Sequence, residues 1–196
     1  MFLCIESYIS LICDEQLAAE LEAQGLRWRS LMTLNSIEFR QAMACFATGV
    51  TIITVDLDGE VHGMTANAVA SVSLDPMFVL VCVDQSASTH AHLHAKKRFG
   101  INVLAEDQRT VSEYYANPAR GHEHAEEETG ARFDRTPRGT PVLHGALAYL
   151  ECRLSEEHVA GDHTIFIAEV EDVRCCAGEP LLFFHSKYRK IGDNAP

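Results

Sequence analysis

Positive charge is scarce in this chain: 16 Lys and Arg stand against 28 Asp and Glu, a formal net charge of -12 over 196 residues. Nucleic acid and anionic membrane surfaces are both gripped by basic faces, so non-specific binding to either is excluded. No apolar run approaches the ~20 residues that carry a helix across a bilayer. The N-terminus begins Met-Phe-Leu-Cys-Ile but has no basic stretch and meets Glu6 at once, so no signal peptide is expected. Cys-x-x-Cys is missing as well. The seven cysteines (4, 13, 45, 82, 152, 175 and 176) are odd in number, and Cys82 and Cys152 sit in apolar runs. Buried thiols in a reducing cytoplasm are the expectation, with the vicinal Cys175–Cys176 pair incidental. Internal repeats, low-complexity tracts, paired catalytic carboxylates and nucleophile–base motifs are also absent.

What is there is globular: 47% hydrophobic and 22% charged residues, in a length that suits one domain. Residues 1–35 read as an extension, 36–191 as the domain and 192–196 as a tail. Asp14–Leu26 has the spacing of a short amphipathic helix, and Met32 offers an alternative start. Ile37–Phe46 predicts a second helix, with Asn35 or Ser36 as its cap. From Gly49 the period changes. Val50–Val55 is β-branched and reads as a strand, Asp58-Gly59 as a hairpin turn, and Met77–Val83 as a strand buried on both faces. Helices are expected at Ser86–Lys97, with Ser88 as cap, and at Asp107–Ala116, stopped by Asn117-Pro118. Strands are expected at Phe99–Leu104, Ala146–Leu154, Thr164–Val173 and Leu181–Phe184. Residues 117–141 show no apolar period and read as a long loop. Mainly β structure with short helices and hairpin connections suggests a Greek-key barrel.

Gly63-Met-Thr-Ala-Asn-Ala-Val-Ala-Ser-Val-Ser-Leu-Asp-Pro76 is crowded with small and hydroxyl-bearing residues ahead of an apolar strand. Such a segment lets a planar or phosphorylated ligand approach the backbone. It would equally serve as a polar turn with Ser and Thr satisfying local groups, and its chemistry alone favours the turn. His90-x-His92-x-His94, with His122 and His124, has the alternation of a chelating strand. On a helix, however, i and i+2 diverge, so solvated histidines rather than a metal site are expected.

Six motifs taken in order carry more. They are Phe39-Arg40…Phe46-Ala-Thr-Gly-Val50, His62-Gly-Met-Thr-Ala-Asn67, Ser71-Val-Ser-Leu-Asp-Pro76, Phe99-Gly-Ile-Asn-Val-Leu104, Gly161-Asp-His163 and Pro180-Leu-Leu-Phe…Tyr188. Together they resemble the flavin reductase-like family, the NAD(P)H:flavin oxidoreductases that supply reduced flavin to a separate monooxygenase. The resemblance implies an FMN-binding split β-barrel and a cytoplasmic homodimer that takes FMN or FAD as flavin and NADH or NADPH as hydride donor. By the same resemblance Thr51, Ile52, Ile53 and Thr54 run beside the isoalloxazine. Thr65, Ala66, Asn67 and Ala68 meet the ring edge and ribityl chain, and Ser71, Val72 and Ser73 the phosphate. Asp84 and Ser88 lie near that phosphate, Phe99, Gly100 and Asn102 complete the pocket, and His163 faces the nicotinamide. The pattern is broken at Ala68, where Ser is common, at Tyr114-Tyr115, and in the 117–141 loop, which lacks a Trp and offers Phe133 instead. A flavin carrier or sensor without turnover, and a pyridoxamine-phosphate-oxidase-like oxidase, are the alternatives. The second would want basic residues that the pocket segments lack.

Overall fold

A computed structural model of the chain describes residues 35–117 and 125–192. It divides into two compact units, 1–43 and 44–196. The expected helix at Asp14–Leu26, Met32, Pro118, His122 and His124 lie outside the described residues. In the first unit, helix α1 (Ser36–Ala44) starts on a reciprocal cap. Asn35 Oδ1 accepts from the amides of Ile37 and Glu38, and Glu38 Oε2 accepts from the amide of Asn35.

The second unit is built on seven antiparallel strands: β2 (Thr51–Leu57), β3 (Glu60–Ala66), β4 (Val69–Leu74), β5 (Met77–Asp84), β6 (Arg98–Val103), β9 (Ala148–Ala160) and β10 (His163–Cys175). Their order across the sheet is β3-β2-β6-β9-β10-β5-β4. The expected turn at Asp58-Gly59 joins β2 to β3, both residues at positive φ (56° and 101°). β3 and β4 are opposite edges of the sheet, yet only Asn67 and Ala68 separate them. Three chain steps reach at most ~11 Å, whereas the edges of a flat seven-stranded sheet would stand roughly 29 Å apart at about 4.8 Å per strand. The sheet must therefore curl until its edges face each other across a seam that no strand pairing closes. This is a split barrel.

Two cores result. Inside the barrel lie Ile53, Val55, Val81, Val83, Phe99, Ile101 and Phe166, and Leu93 of helix α2 (Ser88–Lys96) plugs one end. Outside β2, the residues Ile52, Leu104, Val111, Tyr114, Leu143 and Leu181 form a second cluster with helix α3 (Arg109–Tyr115). β2 is thus the strand buried on both faces. β5, expected to be so, buries Val79, Val81 and Val83 but leaves Phe78, Leu80 and Cys82 half-buried, because none of the described residues covers its outer face.

Other expectations need correction. Ser88 begins α2 rather than capping it; Ala87 holds the cap position and makes no side-chain cap bond. The 107–116 helix is a 3-10 turn (Glu106–Gln108) followed by α3. Among the described thiols only Cys152 is buried, its pKa pushed up to about 12 by desolvation, while Cys45, Cys175 and Cys176 are exposed. β1 (Thr48–Gly49), β11 (Leu182–Phe184) and β12 (Lys187–Arg189) make a small separate sheet. β12 was not expected, since its turn is made by His185 and Ser186 at positive φ (50° and 56°) without a glycine to mark it.

The 117–141 segment is not an unstructured loop: it carries helix α4 (Ala125–Thr129) and strand β7 (Phe133–Arg135), which pairs with β8 (Pro141–Leu143). Side chains rather than apolar period order it. Glu151, fully buried, accepts from Thr136 Oγ1 at 3.0 Å, Thr140 Oγ1 at 2.6 Å, Arg138 Nη1 at 3.1 Å and Arg98 Nη1 at 3.3 Å. Burial pushes its carboxyl up, but the two hydroxyls and the guanidinium groups prevail and hold it below the usual range. Removing it strands buried partners, so Glu151→Ala should cost about 3–5 kcal/mol in urea unfolding at neutral pH. A carboxyl depressed in the fold stabilises above its unfolded pKa of about 4.3 and loses that contribution as pH falls through the folded value. Glu151→Gln should therefore show a shallower acid decline than wild type. A Glu151→Ala protein as stable as wild type would contradict this role.

Candidate active site at the barrel seam

The seam is lined by two unpaired strand edges and the Asn67–Ala68 link. The link is pinned: the Cys82 amide donates to Ala68 O at 3.0 Å, and Asn67 Nδ2 reaches Thr48 Oγ1 at 3.3 Å. In β4 the register against β5 slips between Ser71 and Ser73, so Val72 is the extra residue of a bulge. Ser71 and Val72 are exposed, and Ser73 Oγ accepts from the Asp75 amide ahead of the cis Asp75–Pro76 bond.

The last paired residues of β5 and β10 bring Asp84 opposite His163. Asp84 Oδ1 accepts from both the amide and the hydroxyl of Ser86, each at 2.7 Å. Those bonds, the hydroxyl first, hold its carboxyl below the ordinary range. His163 Nδ1 lies 2.7 Å from Asp162 Oδ1, and this contact lowers the Asp162 carboxyl. Ser88 Oγ approaches Nε2 of the buried His62 at 3.3 Å, and Thr89 Oγ1 meets the same nitrogen at 2.9 Å. Exposed hydroxyls and a primary amide thus lie along the seam, and the His163 imidazole stands at the ends of β5 and β10.

The residues named from sequence fall into two groups. Asn67, Ala68, Ser71, Val72, Asp84 and Ser88 are exposed, and Ser73 and His163 half-exposed. Thr51, Ile52, Ile53, Thr54, Ala66, Phe99, Gly100 and Asn102 are buried. Their side chains are already engaged. Thr51 Oγ1 donates to Ala66 O, Thr54 Oγ1 donates to Pro141 O, and Asn102 bridges Ile52 O, Thr54 Oγ1 and the Leu143 amide. A Cβ on Gly100 would sit 2.6 Å from Thr54 Oγ1. The side chains of this group are buried in the fold. Thr65 is intermediate, its hydroxyl donating to Ser112 O at 2.7 Å while Ser112 Oγ meets Tyr188 OH at 2.8 Å.

Tyr114 and Tyr115, where the chain departs from the family pattern, are buried. Tyr115 lies so close to Gly63 that a Cβ there would stand 2.6 Å from the ring, which explains the glycine in the motif. The α2 histidines diverge as helical spacing requires: His90 meets Thr164, His92 packs edge-on to His62, and His94 pairs with Glu157. Sequence reasoning missed Thr48, Gln85, Ser86, Ser112 and Asp162. Asp84-x-Ser86 is a local Asx-turn signature and Asp162 lies within the Gly161-Asp-His163 motif without having been given a role, so those two were findable; the rest depend on long-range pairing.

Comparison with known families matches residues 43–192 to the flavin reductase like domain. The chain belongs to that family. It is 39% identical over 161 residues to an NADH-dependent flavin reductase of Rhodococcus sp, covering 81% of this chain and 88% of the relative. It is 37% identical over 158 residues to the reductase component of a 4-nitrophenol 4-monooxygenase/4-nitrocatechol 2-monooxygenase of Rhodococcus opacus, covering 81% and 82%. The structure of the NADH:FAD oxidoreductase SgcE6 of Streptomyces globisporus, in complex with NAD and FAD fragments, superposes with a TM-score of 0.75. It is 33% identical, with 83% of this chain and 96% of that one covered.

A carboxylate can only accept a hydrogen bond, so the Asp162 contact requires the hydrogen of neutral His163 to sit on Nδ1, leaving Nε2 as the outward acceptor. Nitrogen chemical shifts of His163 should report the Nδ1–H form in wild type and a mixture in Asp162→Asn. A wild-type Nε2–H form would refute the orientation.

Proposed function

We propose that the chain is an NAD(P)H-dependent flavin reductase that takes hydride from a reduced nicotinamide onto FMN or FAD and supplies the reduced flavin to a separate monooxygenase. The observation that carries it is the seam: two unpaired backbone edges and the Asn67–Ala68 link between them carry exposed hydroxyls and an amide, while the half-exposed imidazole of His163 stands opposite Asp84 at the ends of β5 and β10. That donor set fits a flavin's polyol and phosphate, with Asn67 and the Ser71–Ser73 bulge along the seam and Asp84 and Ser88 beyond the end of β5. The NADH-dependent relative and the monooxygenase reductase component support the nicotinamide donor and the oxygenase partner.

A bound flavin supplies the redox chemistry. The chain's own contribution is to hold the two rings in contact and keep the site in one geometry. The buried frame of Thr54, Asn102 and Pro141 keeps β2 straight behind the seam, and His163, aimed by Asp162, orients the nicotinamide side through Nε2. The subunit is expected to act as a homodimer. The outer face of β5 and β10 presents Phe78, Leu80, Cys82, Ile165 and Ile167 on one side of the sheet, half-buried and uncovered among the described residues. An apolar face of that kind belongs against protein. No helix among the described residues is long and apolar enough to cross a membrane.

Absorbance at the nicotinamide band, with NADH or NADPH and either flavin, should show oxidation well above the uncatalysed background. None with any combination would leave a flavin carrier. His163→Ala should raise the KM for the nicotinamide; unchanged rate and KM would remove His163 from the reaction. Light scattering should give twice the chain mass, and Leu80→Asp should return it to one chain.

A further inference from the structure

His163 stands at the tip of the β9–β10 hairpin, the part of a sheet with fewest neighbours and most freedom to open. Three successive carbonyls of this tip are held by a single residue from another strand. The amide of Gln85 donates to Asp162 O at 3.0 Å, and its side-chain Nε2 donates to Gly161 O and to His163 O, both at 3.2 Å. Both side-chain partners are carbonyl oxygens, which only accept, so the amide must present its nitrogen there. Gln85 is itself aimed by the turn at Asp84. The Asp84 carboxylate takes the amide and hydroxyl of Ser86, and its carbonyl takes the Ala87 amide at 3.0 Å. The end of β5 and the tip of β9–β10 therefore form one locked corner.

We infer that Gln85 is a positioning residue for hydride transfer. It fixes the backbone from which the His163 ring reaches the nicotinamide and touches neither substrate. The inference rests on the reading of His163 as the nicotinamide-side residue. Gln85 acts through the carbonyls on both sides of Asp162, so it also sets the distance at which the Asp162 carboxylate holds His163 Nδ1. Asn, one methylene shorter, cannot span both carbonyls, and Glu turns an acceptor on them.

The test is steady-state kinetics of the full chain with NADH and FMN for wild type, Gln85→Leu, His163→Ala and the double variant. Gln85→Leu should raise the KM for NADH about tenfold, which corresponds to ~1.4 kcal/mol, the scale of one net hydrogen bond. The KM for FMN should stay at its wild-type value. The double variant should be no worse than His163→Ala, because a residue acting through His163 has nothing left to act on. Gln85→Thr, polar but too short to reach, should repeat the pattern and guards against a folding defect peculiar to Leu. A wild-type NADH KM in both Gln85 variants, a parallel rise in the FMN KM, or multiplicative losses in the double variant would overturn the inference. If His163→Ala itself behaves as wild type, the underlying reading fails and the inference falls with it. An impaired His163→Ala beside silent Gln85 variants overturns the inference alone.

Discussion

Two residues, Asn67 and Ala68, join strands at opposite edges of a seven-stranded sheet, and that short link constrains everything else in the second unit. It compels the sheet to curl, leaves the β3 and β4 edges facing without pairing, and sets a run of small and hydroxyl residues along the gap. In a longer connection the edges could drift apart and the backbone groups there would need other partners. Gly63 in this stretch follows from the ring of Tyr115 against its backbone. A fold requirement and a ligand site thus share one stretch of sequence.

The seam also explains how labour divides among the polar groups. Those behind it are saturated: Asn102 makes three hydrogen bonds and Thr54 two, none to solvent. Those in front are held from one side only, as Asp84 is by Ser86 and His163 by Asp162. A protein that leaves the hard chemistry to two bound cofactors needs little more than rigidity behind and directed donors in front. The absence of a nucleophile or carboxylate pair from the sequence fits that economy.

Much of the fold was legible because its signals are local. β-Branched runs marked β2, β5 and β10, Asp58-Gly59 marked the hairpin, and the Asn35 cap marked α1. What could not be read was ordered from a distance. Residues 133–143 fold around Glu151, which lies outside that segment, so no periodicity announces them. The apolar run of β5 signalled two buried faces, whereas one face stays open among the described residues. Of the site residues named from sequence, Asn67, Ala68, Ser71 and Val72 expose their side chains and His163 does so in part, whereas Thr51–Thr54, Phe99 and Asn102 bury theirs. Sequence motifs do not separate a residue that touches a ligand from one that holds the residue that does. Gln85 left no trace, since its role exists only once β5 meets the β9–β10 tip.

The claim on which the rest turns is that flavin lies along the seam. Titrating the labelled protein with oxidised FMN while following backbone amide shifts tests it most directly. The expected result is a contiguous set of shifted amides at Asn67–Ser73 and Asp84–Ser88, with the buried Phe99–Val103 amides and the 133–143 hairpin little changed. Shifts centred on the β2–β3 turn or the hairpin, with the seam silent, would contradict it.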